Sequence, residues 1–308
     1  MGTVGDQDSA AEVFERHRPL LTGVAYRMLG RFADAEDVVQ ETWPRWAAAD
    51  RATVRDPRAF LVTATTRLAI DRLRQVRSRR ESYPGPWLPE PVATDFGHTV
   101  PDAAERVVLA ESVSLAVLVL LESLSPLERA VFVLREAFAF PYAQIAAVLD
   151  RTEPAVRQLA GRARRHVEDR RPRYDADPAE TARVTERFLA AAVGGDLQGL
   201  LALLAPDVRL LGDGGGVQRA PLRVIETAGK VGRFLHAVAP TPIAEPAFAF
   251  REVNGVPSIV VTSRGRPHTV FSLEVTDGLV STVYLLTNPG KLTGVATAAP
   301  VLRDTGTA

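Results

Sequence analysis

Cysteine is absent from the 308-residue sequence, and lysine is almost absent, with only Lys230 and Lys291. The lack of cysteine excludes a disulfide framework, a zinc ribbon and a thiol nucleophile, and it favours a cytoplasmic location. No apolar run approaches the roughly 20 residues that a membrane span needs. The N-terminal residues are polar and acidic and have no apolar signal core, so we expect neither secretion nor a membrane partner.

The net charge is zero, from 37 basic and 37 acidic residues, but the charges are segregated along the chain. Six arginines and one acid lie between Arg67 and Arg80, and eight arginines and three acids lie between Arg151 and Arg173. Residues 32–41 carry four acids and no basic residue. Basic blocks of this kind bind phosphates and acidic blocks bind basic partners, with a solvated helix face as the alternative for each block.

The first half of the chain has helical periodicity. Apolar residues recur at helical spacing over residues 11–80, with a helix-start signal at Asp56-Pro57. Residues 82–101 hold five prolines and two glycines, which predicts an extended linker. A second helical block follows, with breaks at Ser125-Pro126 and Phe140-Pro141.

After residue 179 two short helices lead into strand-like runs. Asn254-Gly255 and Asp277-Gly278 lie between consecutive runs, which predicts hairpins and a small α+β domain with an antiparallel sheet. The predicted strands are 208–211, 248–253, 258–263, 269–276 and 279–287. The predicted domains are 1–81, 104–171 and 180–295, with linkers 82–103 and 172–179 and a flexible tail at 296–308.

Residues 142–166 have the pattern of a helix-turn-helix. We expect a helix over 142–149, a turn at Asp150-Arg151 and a second helix capped by Thr152, with an apolar side formed by Val156, Leu159, Ala163 and Val167. The DNA-binding candidates on the second helix are Glu153, Arg157, Gln158, Arg162, Arg164 and Arg165. Arg157 would read a guanine, whereas the later arginines would hold phosphates. An αα-hairpin with a basic outer face is the alternative.

Together these segments resemble the extracytoplasmic-function (ECF) sigma factors of bacteria over about residues 10–171. Asp34-Ala-Glu-Asp-Val-Val-Gln-Glu-Thr-Trp43 is similar to their region 2.2, which docks on the β′ clamp of RNA polymerase core. The resemblance implies that Asp37, Gln40 and Glu41 contact the clamp, with Trp43 packed behind them. Pro44 predicts a bend or a nearby end of this helix.

Two further segments resemble the promoter-binding regions of the same family. Asp56–Arg74 is similar to regions 2.3 and 2.4, which open the promoter and read the −10 element, and the implied contacts are Arg67, Arg72, Arg74 and Arg77. Arg67 stands where many members carry asparagine. Leu124–Leu134 and the helix-turn-helix resemble region 4, which reads the −35 element and binds the β flap.

Three short motifs resemble markers of the ECF subgroup with a fused SnoaL-like domain, the sigma J type. They are Trp87, Leu88, Pro89, Glu90 and Pro91; Asp213, Gly214, Gly215 and Gly216; and Asn288, Pro289, Lys291 and Leu292. Val217 and Gly290 replace a usual lysine and a usual acid. We therefore expect a lysine–acid contact between the SnoaL-like domain and its neighbours to be weakened or rebuilt.

The resemblance implies a multidomain fold with two all-α sigma domains, a region 2 helical bundle and a region 4 helix-turn-helix, and an α+β NTF2-like cone. It implies an alternative sigma factor that binds polymerase core and promoter DNA, initiates transcription and is modulated by its cone. No separate anti-sigma factor is evident. A small ligand of unidentified chemistry in the cone is a further candidate partner.

Two other functions stay open at this point. One is a cone-fold isomerase or hydrolase with an appended DNA-binding half, and the other is a helix-turn-helix regulator that never touches polymerase. Asp213 is interpreted as a turn residue that caps backbone donors, and His236 and His268 have no partner at catalytic or metal-ligand spacing. We therefore predict no catalytic residue, no cofactor and no metal.

Overall fold

The computed structural model describes residues 9–80, 82–94, 113–168 and 177–295. The chain divides into two compact units, of which unit 1 comprises residues 1–78 and 120–170 and unit 2 comprises residues 79–119 and 171–308. The predicted tail at 296–308, most of the predicted linker at 172–179 and the linker residues beyond 94 lie outside the described residues. Within the described ranges, no helix is long and apolar enough to cross a membrane.

The first part of unit 1 consists of the helices α1 (Ala10–Leu29), α2 (Phe32–Ala47) and α3 (Pro57–Arg80). The side chain of Ser9 caps α1, and α1 ends at Gly30 in a left-handed conformation with φ 70°. The carboxylate of Asp56 accepts a hydrogen bond from the Ala59 amide at 3.0 Å, so the predicted start of α3 is confirmed. The buried side chains of these helices include Leu21, Val24, Met28, Val38, Val39, Trp46, Leu61, Leu73.

The second part of unit 1 forms the helix-turn-helix. Helix α4 (Leu115–Glu122) is followed by α5 (Pro126–Phe132), a π-helical turn (Val133–Ala137), α6 (Tyr142–Leu149) and α7 (Glu153–Glu168). Asp150, in the turn, has the left-handed φ of 52° that aspartate tolerates better than most residues. The predicted apolar side of α7 is buried as expected: Val156, Leu159, Ala163, Val167.

The two parts of unit 1 contact each other through arginine side chains. The guanidinium of Arg129 on α5 is buried and donates from Nε to the Arg27 carbonyl of α1 at 2.9 Å. Its Nη1 pairs with Glu122 at 2.5 Å. Arg27 is also buried and lies 5.0 Å from the ring centre of Phe138, and burial lowers the pKa of Arg27 to about 10. Arginines therefore join the region 2-like and region 4-like parts.

Unit 2 contains helices packed against one six-stranded sheet. In chain order the elements are α8 (Pro178–Val193), α9 (Leu197–Leu203), β1 (Leu204–Asp213), β2 (Ile225–Glu226), α10 (Ala228–Val238), β3 (Pro246–Val253), β4 (Val256–Ser263), β5 (Arg266–Thr276) and β6 (Leu279–Leu286). The strand order is β2-β1-β6-β5-β4-β3.

The predicted hairpins are confirmed, because β3–β4 and β5–β6 pair antiparallel around Asn254 and Asp277, each with φ 52°. The predicted antiparallel sheet contains one parallel pair that was not predicted, because β1 and β6 pair parallel. Turn chemistry specifies only strands that follow each other directly, whereas β1 and β6 are separated by most of the domain.

The two faces of the sheet are covered by different partners. One face packs its apolar side chains against α8, α9 and α10, and this core includes Phe188, Leu200, Leu203, Val231, Leu235, Ile259, Val261, Leu273, Val283, Leu285. On the other face Val260, Val270 and Leu286 pack against Leu88 of the linker, Leu115 of α4 and Leu292. The linker is thus part of the core of unit 2.

Candidate functional site

The polar residues predicted to bind polymerase lie together on the exposed side of α2. Asp37, Gln40 and Glu41 are exposed, and Trp43 is half-buried with its ring edge-on to Phe14 at 5.1 Å between ring centroids. Arg72 of α3 pairs with Asp37 at 3.3 Å and with Glu41 at 3.4 Å. Arg72, predicted for the promoter, therefore lies beside the acidic surface.

The other −10 candidates lie elsewhere on α3. Arg67 donates from Nε to the carbonyl of Val148, at the end of α6, at 3.0 Å. Arg74 pairs with Asp71 at 3.2 Å, one helical turn away, and both side chains are exposed. The side chain of Arg77 lies outside the described residues. The structure therefore places Arg67 against the helix-turn-helix and leaves Arg74 at the surface.

The arginines of the second helix, α7, differ in their partners. Arg157 pairs with Glu153 at 2.5 Å, lies 4.6 Å from the ring centre of Tyr142 and is more than half exposed. Gln158 beside it is also exposed. Arg165 donates from Nε to the carbonyl of Gly161 at 3.2 Å, within its own helix.

The two remaining arginines of α7 pair with acids of the preceding elements. Arg164 binds Glu136 at 2.7 Å, and this hydrogen bond raises the pKa of Arg164. Arg162 pairs with Glu128 at 3.2 Å. A hydrogen bond from the Ser125 hydroxyl, at 2.6 Å, is the main cause that lowers the pKa of Glu128. Arg157, Gln158, Arg162 and Arg165 are all exposed, whereas Arg164 is only partly exposed.

The three marker motifs meet around Asp213, the last residue of β1. Its side chain is fully buried, and its Oδ2 pairs with the Lys291 ammonium at 2.6 Å. The same oxygen accepts from the Leu88 amide at 2.9 Å, and Oδ1 accepts from the Tyr83 hydroxyl at 2.5 Å. Val217, which replaces the usual lysine, is 76% exposed. The lysine–acid contact in this chain is formed by Lys291 and Asp213. We call Asp213, Lys291, Tyr83 and Leu88 the Asp213 latch.

The Lys291 ammonium has further partners from the linker. It donates to the carbonyl of Leu88 at 2.5 Å and lies 3.9 Å from the ring centre of Trp87 and 5.1 Å from that of Tyr83. Two aromatic faces, a carbonyl and a carboxylate therefore surround a buried cation, an arrangement that compensates its loss of hydration.

The three glycines after Asp213 are required by close approaches. Asp213 also accepts from the Gly215 amide at 3.1 Å, as a turn residue does. A Cβ on Gly214 would lie 2.2 Å from the Gln218 carbonyl oxygen, and one on Gly215 would lie 2.6 Å from the Asn288 side chain. Gly216, with φ 73°, lies against Pro84 of the linker, so a side chain would separate the loop from the linker.

The remaining motif residues complete the same cluster. Asn288 donates to the Tyr83 hydroxyl at 2.8 Å, and its side chain caps the short 3-10 turn Pro289–Lys291. Glu90 is buried and accepts from the Thr293 hydroxyl at 3.1 Å. Pro89, Pro91 and Leu292 are buried as well. Sequence reasoning missed Tyr83, since an isolated tyrosine outside the motifs carries no signal.

The described part of the cone includes its apolar core and His268. An apolar cluster lies between the sheet and the helices, and Thr181 and Thr185 of α8 are buried polar residues of the same domain. His268 contacts the Thr269 hydroxyl at 2.8 Å. Among the described residues no group of three or more histidines and carboxylates could hold a metal ion.

Comparisons with known proteins agree with this geometry. The model of "Sigma-70 region 2" matches residues 13–80, and that of "Sigma-70, region 4" matches residues 114–167. The chain is 40% identical over 292 residues to the ECF RNA polymerase sigma factor SigJ of Mycobacterium tuberculosis (strain ATCC 25618 / H37Rv), covering 91% of this chain and 92% of that protein. It is 32% identical over 297 residues to the probable ECF RNA polymerase sigma factor SigI of Mycobacterium tuberculosis (strain CDC 1551 / Oshkosh), covering 94% and 97%.

A solved structure gives the same result. The crystal structure of Mycobacterium tuberculosis SigJ matches with a TM-score of 0.71 at 36% identity, covering 91% of this chain and 97% of that chain.

The two sigma-70 regions, in this order, define a sigma-70-type transcription initiation factor. The chain belongs to the ECF RNA polymerase sigma factors. The predicted resemblance, fold class and function as an alternative sigma factor are confirmed. Sigma factors bind RNA polymerase and promoter DNA and are not enzymes, so neither the cone-fold enzyme nor the simple regulator is favoured.

Proposed function

We propose that this sigma factor contacts the polymerase β′ clamp through Asp37, Gln40 and Glu41 and the β flap through its region 4. It acts in the cytoplasm, and no separate anti-sigma factor is evident for it. The clamp surface is supported by three exposed polar side chains on one side of α2. Region 2 reads the −10 element through α3, and α7 reads the −35 element through Arg157 and Gln158. The domain boundaries predicted from the sequence are part of this proposal.

Promoter binding requires the two parts of unit 1 to separate. Arg67 and the Val148 carbonyl are in hydrogen-bond contact. The −10 and −35 elements are centred about 25 base pairs apart, or about 85 Å at 3.4 Å per base pair. A compact body of about 130 residues has a radius of gyration of only about 14 Å, so it cannot reach both elements. The packed arrangement is therefore the resting conformation in this proposal.

The cone restrains the linker in the resting conformation. Family resemblance implies that the linker threads toward the RNA exit path, which a linker buried against the sheet cannot do. The observation that carries this proposal is the Asp213 latch, in which Asp213 and Lys291 hold the backbone of Leu88. The cone thus opposes threading until the latch opens. The small ligand of the cone stays a prediction, and the apolar cluster between the sheet and the helices would suit an apolar molecule.

Run-off transcription with purified core polymerase tests the restraint. Tyr83→Phe removes a hydroxyl that donates to Asp213 at 2.5 Å and should increase transcript yield at limiting polymerase, without changing promoter preference. Tyr284→Phe is the matched control, because Tyr284 donates to Glu274 at 2.5 Å within the sheet. Equal yields from Tyr83→Phe and the unsubstituted chain would contradict the proposal.

Distance measurements test the separation. The cysteine-free chain allows dyes to be attached at Arg45→Cys and Glu168→Cys, two exposed positions on α2 and α7. Energy transfer between the dyes should fall when polymerase and promoter DNA are added. Unchanged transfer in a complex that produces transcript would contradict the proposed opening.

A further inference from the structure

The turn between β3 and β4 holds the linker at a second place, Val92, directly after the motif that ends at Pro91. Asn254 in this turn is 1% exposed, and its side-chain oxygen accepts from the Val92 amide at 3.0 Å. Its side-chain nitrogen donates to the Val113 carbonyl, just before α4, at 3.3 Å. The Asn254 backbone amide donates to the Val92 carbonyl at 2.8 Å. One side chain thus ties the linker to the residues that begin α4.

Neighbouring residues strengthen this attachment. Thr94 donates from its amide to the Glu252 carbonyl at 2.8 Å and from its hydroxyl to the Glu252 carboxylate at 2.7 Å. The same hydroxyl accepts from the Gly255 amide at 3.1 Å. Ala93 forms an antiparallel bridge with Val253. Linker residues 92–94 therefore pair with the last residues of β3, which is an edge strand of the sheet.

The chemistry of asparagine suits both tasks of this position. The left-handed φ of 52° is tolerated by asparagine and glycine better than by most residues. The carboxamide supplies an acceptor and a donor at once, which neither aspartate nor glycine does. Asn254-Gly255 was predicted from the sequence only as a hairpin turn, so its side-chain role is additional.

We propose that the β3–β4 turn is a second latch for the linker, separate from the Asp213 latch, with Asn254 as its positioning residue. The latches involve β1 and β3, which are four strand spacings apart in the sheet, or about 19 Å at about 4.8 Å per spacing. Linker release therefore requires both to open. The inference rests on the proposed function in that it assumes the cone restrains the linker.

Hydrogen–deuterium exchange of the full chain, with residue-level fragmentation, tests the latch. Asn254→Gly keeps the backbone conformation accessible and removes the carboxamide. Exchange of the Val92 amide should rise about tenfold, the factor expected for one net hydrogen bond, while that of the Leu88 amide stays unchanged. Asp277→Gly is the matched control, since Asp277 has the same φ of 52° before a glycine and is exposed.

Three results would overturn the inference: no change at Val92, an equal rise in both variants, or a parallel rise at Leu88. Run-off transcription separates this inference from the proposed function. Faster exchange at Val92 with unchanged transcription would support the second latch and contradict restraint by the cone. Unchanged exchange at Val92, with a changed yield from Tyr83→Phe, would contradict the second latch alone.

Discussion

Replacing Lys291 by methionine should destabilise unit 2 strongly. Methionine keeps most of the apolar stem but removes the ammonium that pairs with Asp213 at 2.6 Å. The Asp213 carboxylate then stays fully buried, and its donors are the Tyr83 hydroxyl, the Asn288 side-chain amide and the backbone amides of Leu88 and Gly215. A buried charge has thus lost its counterion, although it keeps neutral hydrogen bonds.

The expected loss follows from the burial of both groups. The side chains of Lys291 and Asp213 are 4% and 0% exposed, so solvent screens their interaction little. Removing one partner of such a pair costs about 3–5 kcal/mol. Loss of the contact with Trp87, at 3.9 Å, is part of this loss and is not additional to it. The double variant Asp213→Asn with Lys291→Met leaves no unpaired charge and should recover about 0.5–3 kcal/mol relative to the single variant.

Equilibrium unfolding in urea measures these differences in stability. It is followed by circular dichroism at the wavelengths of the β-sheet signal. The transition of unit 2 is fitted separately, because a chain with two units need not unfold in one step. Lys230→Met is the control, since Lys230 is the other lysine and is exposed on α10, and it should change stability by less than about 0.5 kcal/mol. A loss for Lys291→Met below about 1 kcal/mol, or a double variant no more stable than the single one, would refute the reasoning.

Three further predictions concern the turn after β1, the cap that Ser125 and Glu128 form at the start of α5, and helix α7. Gly215→Ala should lower the free energy of unfolding in urea by about 1–3 kcal/mol more than Gly265→Ala does. Both glycines have positive φ, but only Gly215 is close to Asn288. Equal losses of stability in the two variants would exclude that contact as the cause. Because the pKa of Glu128 is lowered, its contribution to the free energy of unfolding is complete above its ordinary pKa of 4.5 and is lost as pH falls through the lowered value. Glu128→Gln should therefore flatten the acid side of a curve of stability against pH. An unaltered curve would contradict this. Arg157→Ala should reduce discrimination between −35 sequences by about 1–3 kcal/mol in competition binding of the polymerase holoenzyme, whereas equal weakening on all sequences would make it a phosphate contact.

Local chemistry predicted much of the fold. The helix start at Asp56-Pro57, the left-handed turn at Asp150 and the hairpin turns at Asn254 and Asp277 were all predicted, because each depends on a few adjacent residues. The parallel pairing of β1 with β6 was not predicted, since neither strand carries a signal for a partner so far along the chain.

Promoter and polymerase contacts were predicted as residue types on helices, but their pairing was not. Arg72 belongs to a basic block, and only the packing of α3 beside α2 shows that it pairs with Asp37 and Glu41. Arg67 likewise meets Val148, 81 residues further along the chain, which no periodicity encodes.

The sequence by itself determined the class of protein, through the acidic and basic blocks, the helix-turn-helix and the three marker motifs. Only the tertiary structure decided what the motifs do together. Asp213 and Lys291 are 78 residues apart, and Lys291 and Leu88 are 203 residues apart, yet they form one buried cluster. The reason is physical: a turn or a helix depends on neighbours in the chain, whereas a buried ion pair depends on which distant segments the sheet brings together and shields from water.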